Sequence, residues 1–307
     1  MKLFKIRASA LSEIMSEPKE KSPKEKYLDA TELLLKHKTD YSLMVNKETK
    51  TAAKKWDSIC ATEKKVIELE SEKDSTFLSD TCKTHLNNWV DENIFKRKKD
   101  VKTWAMQKGT EKETEALIIV NKFLGTKLKK DSRHFENDYS TGHIDIDYKE
   151  ERTVYDIKIC ETFSTFPRFK EKLEKNYYWQ MQQYLNLMEY DKAVVIKVLV
   201  NSPIWQIKQL IKNSYFGLLS KYGETNAVME SEHMEDIKNI FSQHVFDDTI
   251  EVMTEQGETY KLTESMIIPT ELRVKCFEVK RCQEDIDKIH PRVLECREFL
   301  RQNNFHN

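Results

Sequence analysis

The chain has 307 residues, 39% hydrophobic and 34% charged: enough apolar material for one large core or two small ones, and too much for wholesale disorder. Its formal net charge of −1, from 51 Lys and Arg against 52 Asp and Glu, excludes a uniformly basic nucleic-acid binder. No apolar run approaches the ~18 residues of a membrane span, and the opening MKLFKIRASALSEIM lacks the long apolar stretch of an export signal, so a cytoplasmic protein with no membrane partner is expected.

In chain order, the first hundred residues read as helical. Ser22-Pro23-Lys24-Glu25 combines a capping serine, a proline at the first helical position and a glutamate three residues after the cap. It predicts a helix to about Lys36, with others over Glu48–Glu70 and Ser79–Phe95. Lys96, Arg97, Lys98, Lys99 and Lys102 then form a basic run. Helical periodicity covers Thr103–Leu124, followed by short strands at Arg133–Asp138, His143–Asp147 and Thr153–Cys160. A helix is expected over Asn176–Glu189, and Ala193–Val200, almost wholly apolar and β-branched, reads as a strand buried on both faces. Helices at Pro203–Lys221 and Glu232–Gln243, a hairpin turning at Gln256-Gly257, a strand at Leu272–Val279 and a helix from Glu284 to Arg301 complete the chain. The stretch from Glu224 to Glu271 is acidic, against only Lys238 and Lys261, and such asymmetry suits a protein with one phosphate-facing side. Strands interleaved with helices indicate an α/β or α+β core.

Side chains alternate across a strand, so Tyr155, Ile157 and Ile159 share one face while Val154, Asp156, Lys158 and Cys160 share the other. A carboxylate and an ammonium thus lie side by side on an otherwise apolar strand; alone, this is equally an ordinary ion pair on an edge strand. Asp145 and Asp147 lie on one face of the preceding segment, and a short turn would pair the two segments antiparallel and bring one of them to Asp156. Carboxylates gathered at one point repel unless a cation lies between them, and Mg²⁺ favours such hard oxygen ligands. Glu113 falls on the apolar helical stripe of Ala116, Leu117 and Val120, where a carboxylate is costly unless paired or metal-bound, while Glu111 faces elsewhere. Gln180 and Tyr184 are four apart on one helix face, flanked by Tyr177 and Met181; such an aromatic stripe also serves plain packing. Cys60, Cys82, Cys160, Cys276, Cys282 and Cys296 are scattered, so reduced thiols with no zinc or iron–sulfur centre are expected.

Taken together, Gly109 to Glu113, Gly142 to Asp145, Asp156 to Lys158 and Gln180 to Tyr184 give the order G-x-x-x-E, G-x-x-D, D-x-K, Q-x-x-x-Y. This resembles the PD-(D/E)XK nucleases, and more narrowly their lambda-exonuclease and YqaJ-like viral recombinase branch. Ile6-Arg7-Ala8-Ser9 also looks like that branch's amino-terminal R-x-S segment. The likeness runs from about Arg7 to Val200, with a weaker trace at Arg273 to Arg281.

The resemblance implies an α/β fold: a restriction-endonuclease-like core with a central mixed β-sheet flanked by helices, plus a helical N-terminal region. The corresponding division is 1–102 as that helical region packed on the core, 103–222 as the nuclease core and 223–307 as an α+β extension. It implies Mg²⁺, with Mn²⁺ as a substitute, held by Asp145, Asp156 and the Ile157 carbonyl, with Glu113 on a second metal or a metal-bound water. Lys158 would orient the attacking water, and Gln180 and Tyr184 would steady the site or the DNA backbone. The G-x-x-D spacing selects Asp145 over Asp147. Asp156 stands where the family often has the longer glutamate, which shifts the metal geometry. Arg7 and Ser9 would bind a DNA-end phosphate; otherwise Ser9 caps a short helix and Arg7 is solvated.

The implied activity is 5′–3′ digestion of linear double-stranded DNA in viral or prophage recombination, in the host cytoplasm if virus-encoded. The resemblance also leaves room for a homo-oligomeric ring and a single-strand annealing protein as partner. The alternatives are a RecB-type nuclease, against which the missing C-x-x-C after Gln180 counts, and a catalytically silent DNA-end-binding module. No G-x-x-x-x-G-K-[ST] loop occurs, which argues against an intrinsic NTPase motor.

Overall fold

Polar caps set where the first helices begin. After a two-residue strand β1 (Ile6–Arg7) and a single turn α1 (Leu11–Ile14), α2 (Pro23–Ser42) starts at Ser22 with a complete capping box: the Ser22 hydroxyl accepts from Glu25 N and the Glu25 carboxylate accepts from Ser22 N. The Thr49 and Ser79 hydroxyls cap α3 (Lys50–Glu72) and α4 (Asp80–Phe95) by accepting from Ala52 N and Cys82 N, and α4 stops where Lys96 turns left-handed at φ 54°. The computed structural model describes residues 3–131, 133–253, 257 and 259–303. Among them no helix is long and apolar enough to cross a membrane.

The chain divides into two units, neither drawn from one continuous stretch. The first takes residues 3–4, 12–97 and 288–303. In it Cys82, Leu86 and Val90 of α4 are buried, as are Val293, Cys296 and Leu300 of the terminal helix, and the free thiols of Cys82 and Cys296 lie 3.6 Å apart.

Residues 5–11 and 98–287 form the second unit. Its elements are α5 (Trp104–Glu111), α6 (Glu113–Leu124), β2 (His134–Glu136), β3 (Ser140–His143), β4 (Ile146–Tyr148), β5 (Thr153–Ile159), α7 (Lys175–Met188), β6 (Lys192–Val198), α8 (Ile204–Tyr222), α9 (Ala227–His244), β7 (Glu251–Met253), β8 (Thr259–Lys261) and β9 (Val274–Lys280). The last helix, α10 (Gln283–Gln302), contributes residues to both units. The helix expected over 103–124 is two, broken at Lys112. Gln256, on which the hairpin turn was expected, lies outside the described residues, although β7 and β8 flanking it pair antiparallel.

The central sheet runs β4-β5-β6-β9: β5 and β6 are parallel, joined through α7, and β4 and β9 are antiparallel on the two edges. One face carries Tyr155, Val194, Ile196 and Val198 against Ala116, Ile119 and Val120 of α6. The other carries Val154, Ala193, Val195, Phe277 and Val279 against Met181, Tyr184 and Leu185 of α7. This is the restriction-endonuclease-like core, a mixed sheet between helices, and its parallel pair is apolar on both faces because both are covered. The acidic 224–271 segment is not only surface: Ile237 and Phe241 of α9 pack with Val252, Leu262 and Ile207 of α8.

Candidate active site

Asp156 and Lys158 project from β5 toward the α7 face. The pairing of β4 with β5 ends at Ile146↔Tyr155, so the carboxyl-terminal half of β5 has no ladder partner on that side among the described residues. The gap opens into a cleft of roughly 690 Å³, walled by Gly109 and Thr110 of α5, Glu113 and Leu117 of α6, Asp145, Ile157, Lys158 and Tyr177.

Asp145 stands at the break between two strands. The continuous strand expected over 143–147 does not form: β3 ends at His143 and belongs to a separate sheet, β1-β3-β2, while β4 begins at Ile146. The Asp145 carbonyl accepts from Asp131 N at 2.6 Å, and its side chain faces Asp156 and Lys158 in the cleft. Asp147 belongs to another network. Its carboxylate, only 1% exposed, is held by the Arg133 guanidinium and accepts a hydrogen bond from Tyr190 Oη at 3.0 Å.

Asp156 is fully buried. Lys158 Nζ donates to its Oδ1 at 2.9 Å; its Oδ2 lies 2.8 Å from the same ammonium and has no well-aligned hydrogen-bond donor among the described residues. Gln180 Nε2 is 3.4 Å from Oδ1 and donates more firmly to Tyr184 Oη at 2.9 Å, and Tyr184 in turn donates to the His143 carbonyl at 2.6 Å. Gln180 and Tyr184 thus tie α7 to the strand end beside Asp145. Burial pushes the Tyr184 hydroxyl up to about 12, so it remains a donor throughout the neutral range.

Burial, and next the Asp156 charge, push Asp145 up to about 7. Burial opposes the charge of Lys158, but Asp156 and then Asp145 outweigh it and hold the ammonium above its ordinary value. Two carboxylates at one point, one of them holding its proton to neutrality and the other with a buried oxygen lacking a well-aligned donor among the described residues, are the donor set that a hard divalent cation relieves. Protein ligands alone do not complete a cage: among the described residues no group of three His, Cys, Asp or Glu side chains is placed to hold a metal.

Glu113 departs from the expectation of a core-facing carboxylate. The break at Lys112 puts it in the first turn of α6, its side chain 44% exposed and paired with Lys130 at 2.5 Å across the cleft rim. A carboxylate there is favourable for the helix dipole and pays little desolvation. Glu111 accepts from Trp205 Nε1 at 3.0 Å. Arg7 and Ser9 are both exposed; Arg7 ends β1, which pairs with β3, and Ser9 lies inside a 3-10 turn and caps no helix.

Sequence reasoning did not single out Lys197, which lies beside Lys158 in the parallel register and is buried. Its signal was a lysine inside an otherwise apolar strand. Gly142 acquires a physical reason as well. A Cβ there would lie 2.9 Å from Cε1 and 3.3 Å from Cδ1 of the Tyr184 ring. Gly142→Ala is therefore expected to push Tyr184 off the His143 carbonyl and to cost about 1–3 kcal/mol of stability, as overpacking does. Thermal unfolding checks this, and a variant as stable as the parent would show that the ring is free to move.

No family model and no curated protein matches the chain. Solved structures do. A phage related exonuclease from Haemophilus somnus 129PT is similar over 98% of this chain and 95% of its own, with a TM-score of 0.59 and 21% identity. An alkaline exonuclease from Laribacter hongkongensis matches over 98% of this chain and 93% of its own at 10% identity and a TM-score of 0.49. The same enzyme in complex with dAMP matches over 98% and 94%, at 11% identity and a TM-score of 0.46. The likeness to the Haemophilus structure establishes a common fold.

Proposed function

We propose that this chain is a divalent-metal-dependent deoxyribonuclease that digests linear double-stranded DNA from a 5′-phosphorylated end, in viral or prophage recombination. The observation that carries the reading is the meeting of Asp145 and Lys158 on the wall of one open cleft, with the buried Asp156 paired to Lys158 beside them. The shared fold and the exonuclease names of its structural neighbour lend support.

Asp145 and Asp156 would hold Mg²⁺, or Mn²⁺ in its place, with the Ile157 carbonyl beside them and Glu113 on the facing wall. Such a metal supplies a water acidic enough to attack at neutral pH and relieves charge on the scissile phosphate. Lys158 holds its proton, and with one N–H on Asp156 it would keep the others for the attacking water and the phosphate oxygens. Asp156 fixes that ammonium in place, and Gln180 and Tyr184 brace the strand ends that carry the two aspartates. Arg7, exposed and without an ion pair among the described residues, offers a guanidinium fork to a terminal phosphate, with Ser9 nearby in sequence.

Linear duplexes labelled separately at each end, bearing a 5′-phosphate or a 5′-hydroxyl, test this alongside a closed circle. Digestion is expected from the 5′-phosphorylated end with Mg²⁺, none with EDTA, and an intact circle. Arg7→Ala should erase the phosphate preference without slowing 5′-hydroxyl ends. Undiminished cleavage in EDTA, or rapid cutting of the circle, would overturn the reading.

A further inference from the structure

Lys197 is a buried cation in a strand that, apart from Lys192 at its start, otherwise carries Ala193, Val194, Val195, Ile196 and Val198. A lysine 8% exposed is costly unless paired. Its Nζ lies 3.8 Å from Glu174 Oε2 and 3.9 Å from the centre of the Tyr177 ring. Glu174 immediately precedes α7, and its Oε2 is buried and accepts no hydrogen bond among the described residues; Lys170 approaches the other oxygen at 3.7 Å from a more exposed position.

Lys197 pairs in register with Lys158 on β5, and on its other side with Lys275 on β9. Neighbouring strands lie about 4.8 Å apart, and register partners project to one face. Lys158 Nζ lies 5.6 Å from the same Tyr177 ring that Lys197 covers. Lys158 therefore has two competing carboxylate directions: toward Asp156, where it is found, and toward Glu174 beyond Tyr177. A like charge already occupying Glu174 closes the second direction, and repulsion between the two ammoniums presses Lys158 onto Asp156.

We propose that Lys197 is a positioning residue: by neutralising Glu174 and seating the Tyr177 ring, it keeps the Lys158 ammonium on the aspartates at the cleft. The proposal rests on the nuclease reading for its assay but makes a separate claim. Lys197→Met frees Glu174 to draw Lys158 away, and kcat for DNA cleavage should fall by roughly 10- to 100-fold with KM little changed, as a misplacement of about 1 Å does. Glu174→Gln in the same chain removes the competitor, so the Glu174→Gln/Lys197→Met double variant should recover to within a few-fold of the parent. Lys197→Arg should stay near the parent, and Glu174→Gln alone should be nearly silent.

A residue of merely structural importance would show no such recovery. Thermal unfolding of each variant reports the fold; if Lys197→Met does not fold, Lys197→Gln carries the same comparison. Parental rates in folded Lys197→Met, or no recovery in the double variant, overturn the proposal while leaving the nuclease reading intact. Absence of cleavage by the parent chain with Mg²⁺ or Mn²⁺ overturns both.

Discussion

Asp156→Asn is expected to lower DNA cleavage by on the order of 10³-fold or more while leaving a folded protein. Asparagine keeps the shape of the buried side chain and its contact with Gln180, but it loses the charge that fixes Lys158 and half of the Asp145–Asp156 carboxylate pair. The fold survives because Lys158, whose side chain is 25% exposed, has Asp145 as a second electrostatic partner, so no isolated buried charge is left behind. Lys158→Met should be similarly slow, and Glu113→Gln much milder, since that carboxylate is half solvated and paired with Lys130. Asp147→Asn provides the contrast. It loosens the contacts to Arg133 and Tyr190, so it should lower the melting temperature yet keep cleavage. Single-turnover rates with thermal unfolding curves separate these outcomes. If Asp147→Asn were the dead variant and Asp145→Asn active, the two aspartates would have to exchange roles.

The second large effect runs the opposite way: Asp145→Asn should abolish cleavage and stabilise the metal-free protein at pH 8. Asp145 holds its proton up to about pH 7 in the folded chain, whereas an unfolded aspartate loses it near 4. Between those values the folded state binds more protons, so this group's contribution to stability falls as pH rises through that window. Above it the full cost is present, on the order of 2–4 kcal/mol for a shift of about 3 pH units. A neutral amide avoids that cost. The variant should therefore melt several degrees above the parent at pH 8 without metal, and the gap should close toward pH 5. Mg²⁺ should narrow it at pH 8 by raising the parent alone. A variant less stable than the parent at pH 8 in EDTA would count against mutual repulsion of Asp145 and Asp156.

The strand carrying Asp156 and Lys158 was readable because its apolar residues alternate and the sheet is covered on both faces, so period two survives into the structure. The capping box at Ser22 was equally plain, since it depends on residues three apart. The interruptions were not legible. Nothing in the local pattern marks the break at Lys112 or the change of sheet between His143 and Ile146; both follow from tertiary packing, and both decide where a carboxylate points. Helix phase alone put Glu113 on the core stripe, yet as a first-turn residue it opens to solvent. Alternation alone left Asp145 and Asp147 equivalent; the G-x-x-D spacing favoured Asp145, and the strand break is what parts the two side chains in space. Lys197 was hidden for a related reason: in a run scored as apolar, one lysine reads as noise until the neighbouring strand supplies Lys158 beside it.

The position of β9 bears on how the molecule is made. β6 is apolar apart from Lys192 and Lys197, and its second edge is covered by residues 274–280, which leave the ribosome long after β6 and α7 have done so. Until then the nascent chain presents an open, sticky ladder, the kind of edge on which unfinished chains associate. Chains released before Val274 should therefore collect in inclusion bodies, and the helices between β6 and β9 set the length of the interval during which a chaperone is of use.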